Sequence, residues 1–491
     1  MRIINKLSSK FTFTLIAFHL IFFLSIIFVG GYPQNNDILH IFKISSLDNN
    51  LKFVNGAYGP GYTYYSLIFS NSLKVLSFFN SFLSILSSVL ICIFLNKFFK
   101  NSNNDEKSVG YLFSLVFHLI ILVTVGFNHS DYIFLLLFYN GILLFLIGYY
   151  LLNSWKIYYT GALIIGLSVL FRHHGLIFLF FLLILFFSFE IFFLKKKINL
   201  FIKDYFKIIV ILIIPPILSY IHLTTIDAIA DWQTHSKLHY YVYANEWNWR
   251  DVKSLFNSED YKNFYILNVN SNVLIKLFFG NLHGALRKLY PFVLCFFLSY
   301  FLSKKKIILF SLFLFLLYVI VVLPGYTRGY YPAIFLCFFA VLLNYKEIAK
   351  KKIYGLFIFL FLFGHLIYLT SKFSNYIHES YMLNNDINKN IIPILNDNKI
   401  KYKNLFSDDY NFYTDKLDGK SNNLCNWGGW LLNHPYYKDY YPAQVAMGKK
   451  NKYCEIKAFI TKEESIAKKY LSLGNFNNQY KTNIYYLLIK N

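Results

Sequence analysis

Lysines crowd every second connector along this chain, and the stretches between connectors are apolar and long enough to cross a bilayer. The clusters are Arg2/Lys6/Lys10, Lys97/Lys100/Lys107, Lys195–Lys197, Lys304–Lys306 and Lys346 with Lys350–Lys352. The intervening connectors carry instead Asp37, Asp48, Asp131, Arg172 and Arg328 among Tyr, His, Asn and Gly. Because lysine-rich loops stay on the cytoplasmic side, this alternation predicts an orientation. It sends nearly every chemically interesting side chain to the outer face.

Composition agrees with the pattern. Of 491 residues, 56% are hydrophobic and 21% aromatic, far above a soluble chain. The formal net charge of +23 raises nucleic acid as a partner. Much of that excess sits in short connectors, where topology signals are written, so no nucleic-acid partner is expected. Five cysteines are too few for a disulfide framework, and Cys92, Cys295 and Cys337 fall inside apolar stretches. The run from Phe11 to Val29 exceeds a signal-peptide core and reads as a retained first span.

Allowing roughly 20 residues per span, helices are expected near 11–30, 75–95, 110–126, 131–152, 157–171, 175–194, 205–224, 287–303, 307–324, 331–345 and 353–370. The fold class is therefore an α-helical polytopic membrane protein of about eleven spans. Residues 1–370 form the membrane module, with outer loops 31–74 and 225–286. Trp232, Trp247 and Trp249 in the second loop, with the stretch Val273–Phe279, suit interfacial helices. Residues 371–491 form a small extracytoplasmic α/β or α+β domain, with helix near 380–396 and 461–472 and a last strand at Ile484–Ile489. The sequence shows no internal repeat. Pro215-Pro216 is expected to break one helix. Glu190, His19, His118 and His365 lie within or near spans, Glu190 close enough to an inner end to reach water.

Candidate chemistry gathers in the outer connectors. Asp37 follows the first span; it reads as a cap on a short interfacial helix or as a base held at the membrane surface, with His40 on the same helix face. Asn128-His129-Ser130-Asp131 opens another helix; Asp131 either caps it or is a second acidic group, and His129 is a hydrogen-bond partner or a ligand. One His beside one Asp is too sparse for a metal site. Phe171-Arg172-His173-His174-Gly175 and Thr327-Arg328-Gly329-Tyr330-Tyr331-Pro332 each put an arginine on the side poor in positive charge. Each arginine either snorkels to the interface or presents its planar fork to a phosphate. Cys425 and Cys454, both expected outside, are candidates for a disulfide. Trp427, Trp430 and Tyr436 around them favour a small-domain core over sugar stacking.

Asp37 after the first span, the Gly59-Pro60 turn before the second, and Asp131 at a later outer connection together resemble the GT-C class of membrane glycosyltransferases. That class contains the protein O-mannosyltransferases and the aminoarabinose transferases of lipid A. Arg172 at a helix end and the Arg328–Pro332 stretch are similar to later elements of the same class. Ile38 stands where the class usually has a second acidic residue, and Gly329 is inserted between Arg328 and Tyr330. The resemblance covers roughly residues 1–370 as an arrangement of spans and short motifs.

The resemblance implies a sugar on a polyprenyl phosphate as donor and a glycan, lipid or protein hydroxyl as acceptor. Catalysis would fall to Asp37 and Asp131, and the donor phosphate to Arg172 and Arg328. His40, His129, His173 and Tyr330 would contact substrate. No tightly bound cofactor or metal is expected, although a divalent ion is compatible with the chemistry. The implied location is the bacterial inner membrane, with the N-terminus in the cytoplasm. The alternatives are a polysaccharide polymerase or ligase, a flippase or transporter, and a non-catalytic assembly protein.

Overall fold

The computed structural model describes residues 60–68, 73–127, 132–172, 175–195, 198–225, 289–321, 333–401, 404–407, 457–474 and 476–490, together with Thr14, Ala17 and Ile21. Ten of the eleven expected stretches are helices there. The first falls outside the described residues except for Thr14, Ala17 and Ile21, which are helical.

The helices are α1 (Pro60–Ile68), α2 (Leu73–Phe98), α3 (Asn104–Phe127), α4 (Tyr132–Leu146), α5 (Trp155–Val169), α6 (Gly175–Ser188) and α7 (Ile198–Thr225). They continue with α8 (Leu289–Ser303), α9 (Lys306–Val321), α10 (Ala333–Leu343), the short α11 (Tyr345–Lys350) and α12 (Lys352–Asp386). Among the described residues six helical segments, those of α2, α3, α4, α6, α7 and α12, are long and apolar enough to cross a membrane. This helical architecture is compatible with a membrane protein.

Local sequence explains individual features. Asn103 caps α3, its Oδ1 accepting the Glu106 N–H at 2.8 Å, and Asp105 and Glu106 sit in the first turn where the helix dipole favours them. Helix α5 crosses α4 and the π-helical turn Ile147–Leu151 after it where side chains vanish. A Cβ on Gly161 would stand 2.4 Å from Phe145 N, and one on Gly148 2.4 Å from Tyr158 N. Small residues at such crossings let backbones approach closely.

Pro215-Pro216 does not break its helix; α7 runs through both prolines. Pro216 lacks the N–H that would bond the Leu212 carbonyl. That carbonyl lies against Gly166 of α5 instead, 2.7 Å from where a Cβ would be. A neighbouring backbone without a side chain thus covers the carbonyl the proline leaves over.

Among the described residues, the lysine connectors share one end of the bundle. Ser102 Oγ lies 2.6 Å from Tyr345 Oη, joining the α2–α3 turn to the α10–α11 turn. Lys305 Nζ donates to Leu343 O at 3.0 Å, bringing in the α8–α9 turn. Tyr150 Oη donates to Glu190 Oε1 at 2.6 Å and Tyr149 Oη to Oε2 at 3.3 Å, tying the π-helical turn Ile147–Leu151 after α4 to the one at Phe189–Phe193 after α6. Glu190 is consequently fully buried and does not reach water, contrary to the sequence expectation.

Helix α12 passes Thr370 without interruption and continues, through a π-helical turn at Ile387–Ile391, into α13 (Ile392–Asp397). Its far end forms one layer of the C-terminal unit. The sheet there is mixed, in the order β1 (Leu405–Ser407), β2 (Ala458–Thr461), β4 (Tyr486–Ile489), β3 (Asn478–Lys481), with β1 and β2 parallel and the other pairs antiparallel. Alternation sorts its two faces. Ala458, Ile460, Leu487 and Ile489 pack on Leu383, Ile387, Ile391 and Leu395. On the other face Phe459 meets Tyr470 of α14 (Glu464–Ser472) at 4.8 Å between ring centroids.

Asp386 fastens the two layers. Its buried carboxylate accepts from Thr482 Oγ1 at 2.7 Å, Ile484 N at 3.1 Å, Asn483 N at 3.3 Å and Asn390 Nδ2 at 2.5 Å.

Candidate functional site

At the end opposite the lysine connectors, the last turn of α5 tightens to i→i−3 bonds. Phe171 N bonds Ser168 O at 3.0 Å and Arg172 N bonds Val169 O at 3.2 Å. The Arg172 carbonyl then accepts Gly175 N at 3.0 Å, so the backbone around this arginine is fixed on both sides. Arg172 is 6% exposed, which for a guanidinium requires polar company rather than simple snorkelling to water.

Helix α1 begins on this turn. Pro60 is buried, and Gly61 N donates to Leu170 O at 3.0 Å. A Cβ at Gly61 would come within 2.8 Å of Leu170 Cβ and 3.0 Å of its carbonyl carbon, so glycine is required by contact. Tyr65 packs edge-on to Phe171 at 5.9 Å, and Tyr64 Oη lies 3.1 Å from His222 Nε2 near the end of α7. Two elements of the sequence resemblance, the turn ending in Pro60 and the arginine at 172, thereby become neighbours across more than a hundred residues.

The helices that follow the other lysine-poor connectors start close by. A Cβ on Gly175, the first residue of α6, would meet Phe134 of α4 at 2.5 Å. One layer below, Phe138 of α4, Phe178 of α6 and Phe335 of α10 form a ring cluster, with centroids 5.1 Å apart for Phe138–Phe178 and 5.7 Å for Phe138–Phe335. Tyr318, near the end of α9, closes on Phe178 at 5.1 Å. Arg172 is the one predicted site residue among those described. Asp37, His40, His129, Asp131, His173, Arg328, Tyr330, Cys425 and Cys454 lie outside the described residues.

Beneath the ring cluster is a polar seam that the sequence pattern concealed. His118 of α3 is fully buried, with Ser88 Oγ of α2 2.9 Å from Nε2 and Tyr139 Oη of α4 3.1 Å from Nδ1. Ser88 also donates to Ser84 O at 3.3 Å, which leaves its oxygen to accept from Nε2–H while Tyr139 donates to Nδ1. Asn140 Nδ2 bonds Leu83 O at 3.2 Å, a carbonyl it shares with Ser87 Oγ at 3.0 Å. Scattered serines in a hydrophobic run give no periodic signal; spacing at 84 and 88 was the available hint. His365 of α12 is buried edge-on to Phe292 at 5.2 Å.

Among the described residues no group of three or more His, Cys, Asp or Glu side chains is placed to hold a metal. No family model matches the chain, and no curated protein or solved structure matches it either.

Proposed function

We propose that the protein is a membrane glycosyltransferase that moves a sugar from a polyprenyl-phosphate donor to an acceptor hydroxyl at the outer face. One observation carries the reading: a buried arginine, Arg172, at the end away from the lysine connectors, with the Pro60–Gly61 start of α1 docked on its turn. A buried guanidinium beside the lipid–water boundary suits a lipid-linked phosphate, which it grips bidentately.

The reaction needs few groups. The acceptor oxygen attacks the anomeric carbon, its proton passes to Asp37, and the bond from that carbon to the phosphate oxygen breaks. The products are the glycosylated acceptor and polyprenyl phosphate. Phosphate is a weak base and leaves without a general acid, unlike the alkoxide expelled in glycoside hydrolysis. Arg172 and Arg328 stabilise the charge that grows on it, and Asp131 orients the acceptor. Direct displacement inverts the anomeric centre.

Purified protein incubated with labelled polyprenyl-phosphate sugars and candidate acceptors tests this. Transfer by the wild type, lost in Asp37→Asn at normal expression, is the expected result; full activity in that variant removes Asp37 from the mechanism. Lipid or glycan transport is the second reading, favoured by the buried His118 seam within the spans. Flux in proteoliposomes without any glycosidic product would select it.

A further inference from the structure

The half of the bundle nearest the lysine connectors holds a half-open cavity of about 210 Å³, lined by Phe98, Phe186, Phe189, Ile307 and Leu343 among other apolar side chains. Two hydroxyls reach its lining, and both are spent: Ser311 Oγ donates to Ile307 O at 2.8 Å and Tyr150 Oη to Glu190 at 2.6 Å. Such a space offers water no partners and stays dry. An apolar cavity of about 150 Å³ accepts benzene; scaled by carbon count, this one takes roughly eight chain carbons. In a membrane-spanning body the neighbouring molecules that can fill it are hydrocarbon chains, and filling restores the dispersion contacts the lining otherwise lacks.

The surrounding charge selects among lipids. Phe98 adjoins Lys97 and Lys100, Ile307 follows Lys304–Lys306, and Leu343 precedes Lys346. Lys305 donates to Leu343 O, and among the described residues no carboxylate pairs with it. Glu347, the acid whose charge acts on Lys305, is engaged by Lys350 at 3.4 Å. Packing desolvates the Lys305 ammonium and lowers its pKa; Glu347 opposes this, while Lys346 and Lys350 add to it. Glu190, beside Phe189, is occupied by its two tyrosines.

We infer that this cavity receives an acyl chain of an anionic phospholipid whose phosphate rests on the Lys304–Lys306 turn. Sugar transfer plays no part in the inference; it stands on the cavity and the connector charges.

Phosphatidylglycerol and phosphatidylcholine carrying a photoreactive diazirine in the acyl chain test it on the full chain in detergent micelles, with crosslinks mapped by mass spectrometry. The expected result is labelling of residues 182–189 and 339–343, about tenfold stronger with phosphatidylglycerol. The triple variant Lys304→Gln, Lys305→Gln, Lys306→Gln should erase that preference while leaving the cavity and the elution profile unchanged. Ser311→Phe, which fills the cavity, should lower labelling by both lipids. Equal labelling by the two headgroups, or labels confined to the bundle's outer surface, would overturn the inference. So would displacement of phosphatidylglycerol from these residues by polyprenyl phosphate at about tenfold lower concentration, which would make the cavity a donor-tail slot.

Discussion

Replacing Asp386 tests how the membrane module holds its C-terminal unit. Each carboxylate oxygen accepts two bonds: Oδ1 from Asn390 Nδ2 and Asn483 N, Oδ2 from Thr482 Oγ1 and Ile484 N. In Asp386→Ala, Thr482 keeps a partner in Tyr485 O at 3.1 Å, and Asn390 can turn away. The N–H of half-buried Ile484 loses its partner and that of exposed Asn483 turns to water, while hydrogen bonds to a charged acceptor are worth about 1.5–3 kcal/mol each. The expected loss is about 2–5 kcal/mol. Asp386→Asn behaves differently. Its amide oxygen, set toward Thr482 and Ile484, keeps both bonds, and a flipped Asn390 amide can accept from the new N–H₂. What goes is the long bond to Asn483 N, worth about 1 kcal/mol. Hydrogen exchange on the full chain reads the difference in the amides of β4 and the 482–485 turn. Exchange should accelerate by about thirtyfold or more in the alanine variant and by under about tenfold in the asparagine variant. Equal acceleration in the two variants, or none in either, would refute the assignment of Asp386 as the fastening group.

Other expectations follow from the same geometry. Arg172→Lys should raise KM for a polyprenyl-phosphate donor by about tenfold in a folded protein, because an ammonium lacks the planar fork; steady-state kinetics checks it. His118→Leu removes two interhelical hydrogen bonds, and at about 0.6 kcal/mol each for membrane helices should cost about 1 kcal/mol in detergent unfolding. Gly161→Leu should prise α4 from α5 at about 3 kcal/mol or more, since even a Cβ would stand 2.4 Å from Phe145 N. Lys305 has a pKa lowered in the fold, first by desolvation. The folded state then binds fewer protons than the unfolded one between that lowered value and the ordinary 10.5, so its contribution to stability rises with pH across that window. Lys305→Met should flatten the wild-type slope there, as read by thermal unfolding at stepped alkaline pH.

The helices were legible because lipid demands long apolar runs, and the lysine spacing told which connectors meet at one end. Ser102 against Tyr345 and Lys305 against Leu343 bear this out. The last strand and the helix near 461–472 were equally plain from alternation and polar flanks. Pro215-Pro216 misled, because the partner that tolerates a helical proline pair is Gly166 on another helix, and a single helix's sequence does not name it. Glu190 misled for a related reason: its depth depends on two tyrosines that a π-helical turn delivers from α4. Asp386 gave little signal, since three of the four groups that donate to it lie about a hundred residues downstream. Of the candidate site, Arg172 was marked in advance by its charge on the wrong side. Its closeness to Pro60 was a matter of tertiary packing alone.

The 35 residues of α12 make a rod of about 52 Å, anchored among lipids at one end and built into a folded sheet layer at the other. Such a shaft passes torque. Adding one alanine between His378 and Tyr381, beyond Phe373 and Ile377 that pack on the bundle, would swing the C-terminal unit about 100° around the axis and lift it about 1.5 Å. The azimuth of that unit relative to the bundle is therefore written in the length of a helix, and a ladder of one- to four-residue insertions would sweep it around the full circle.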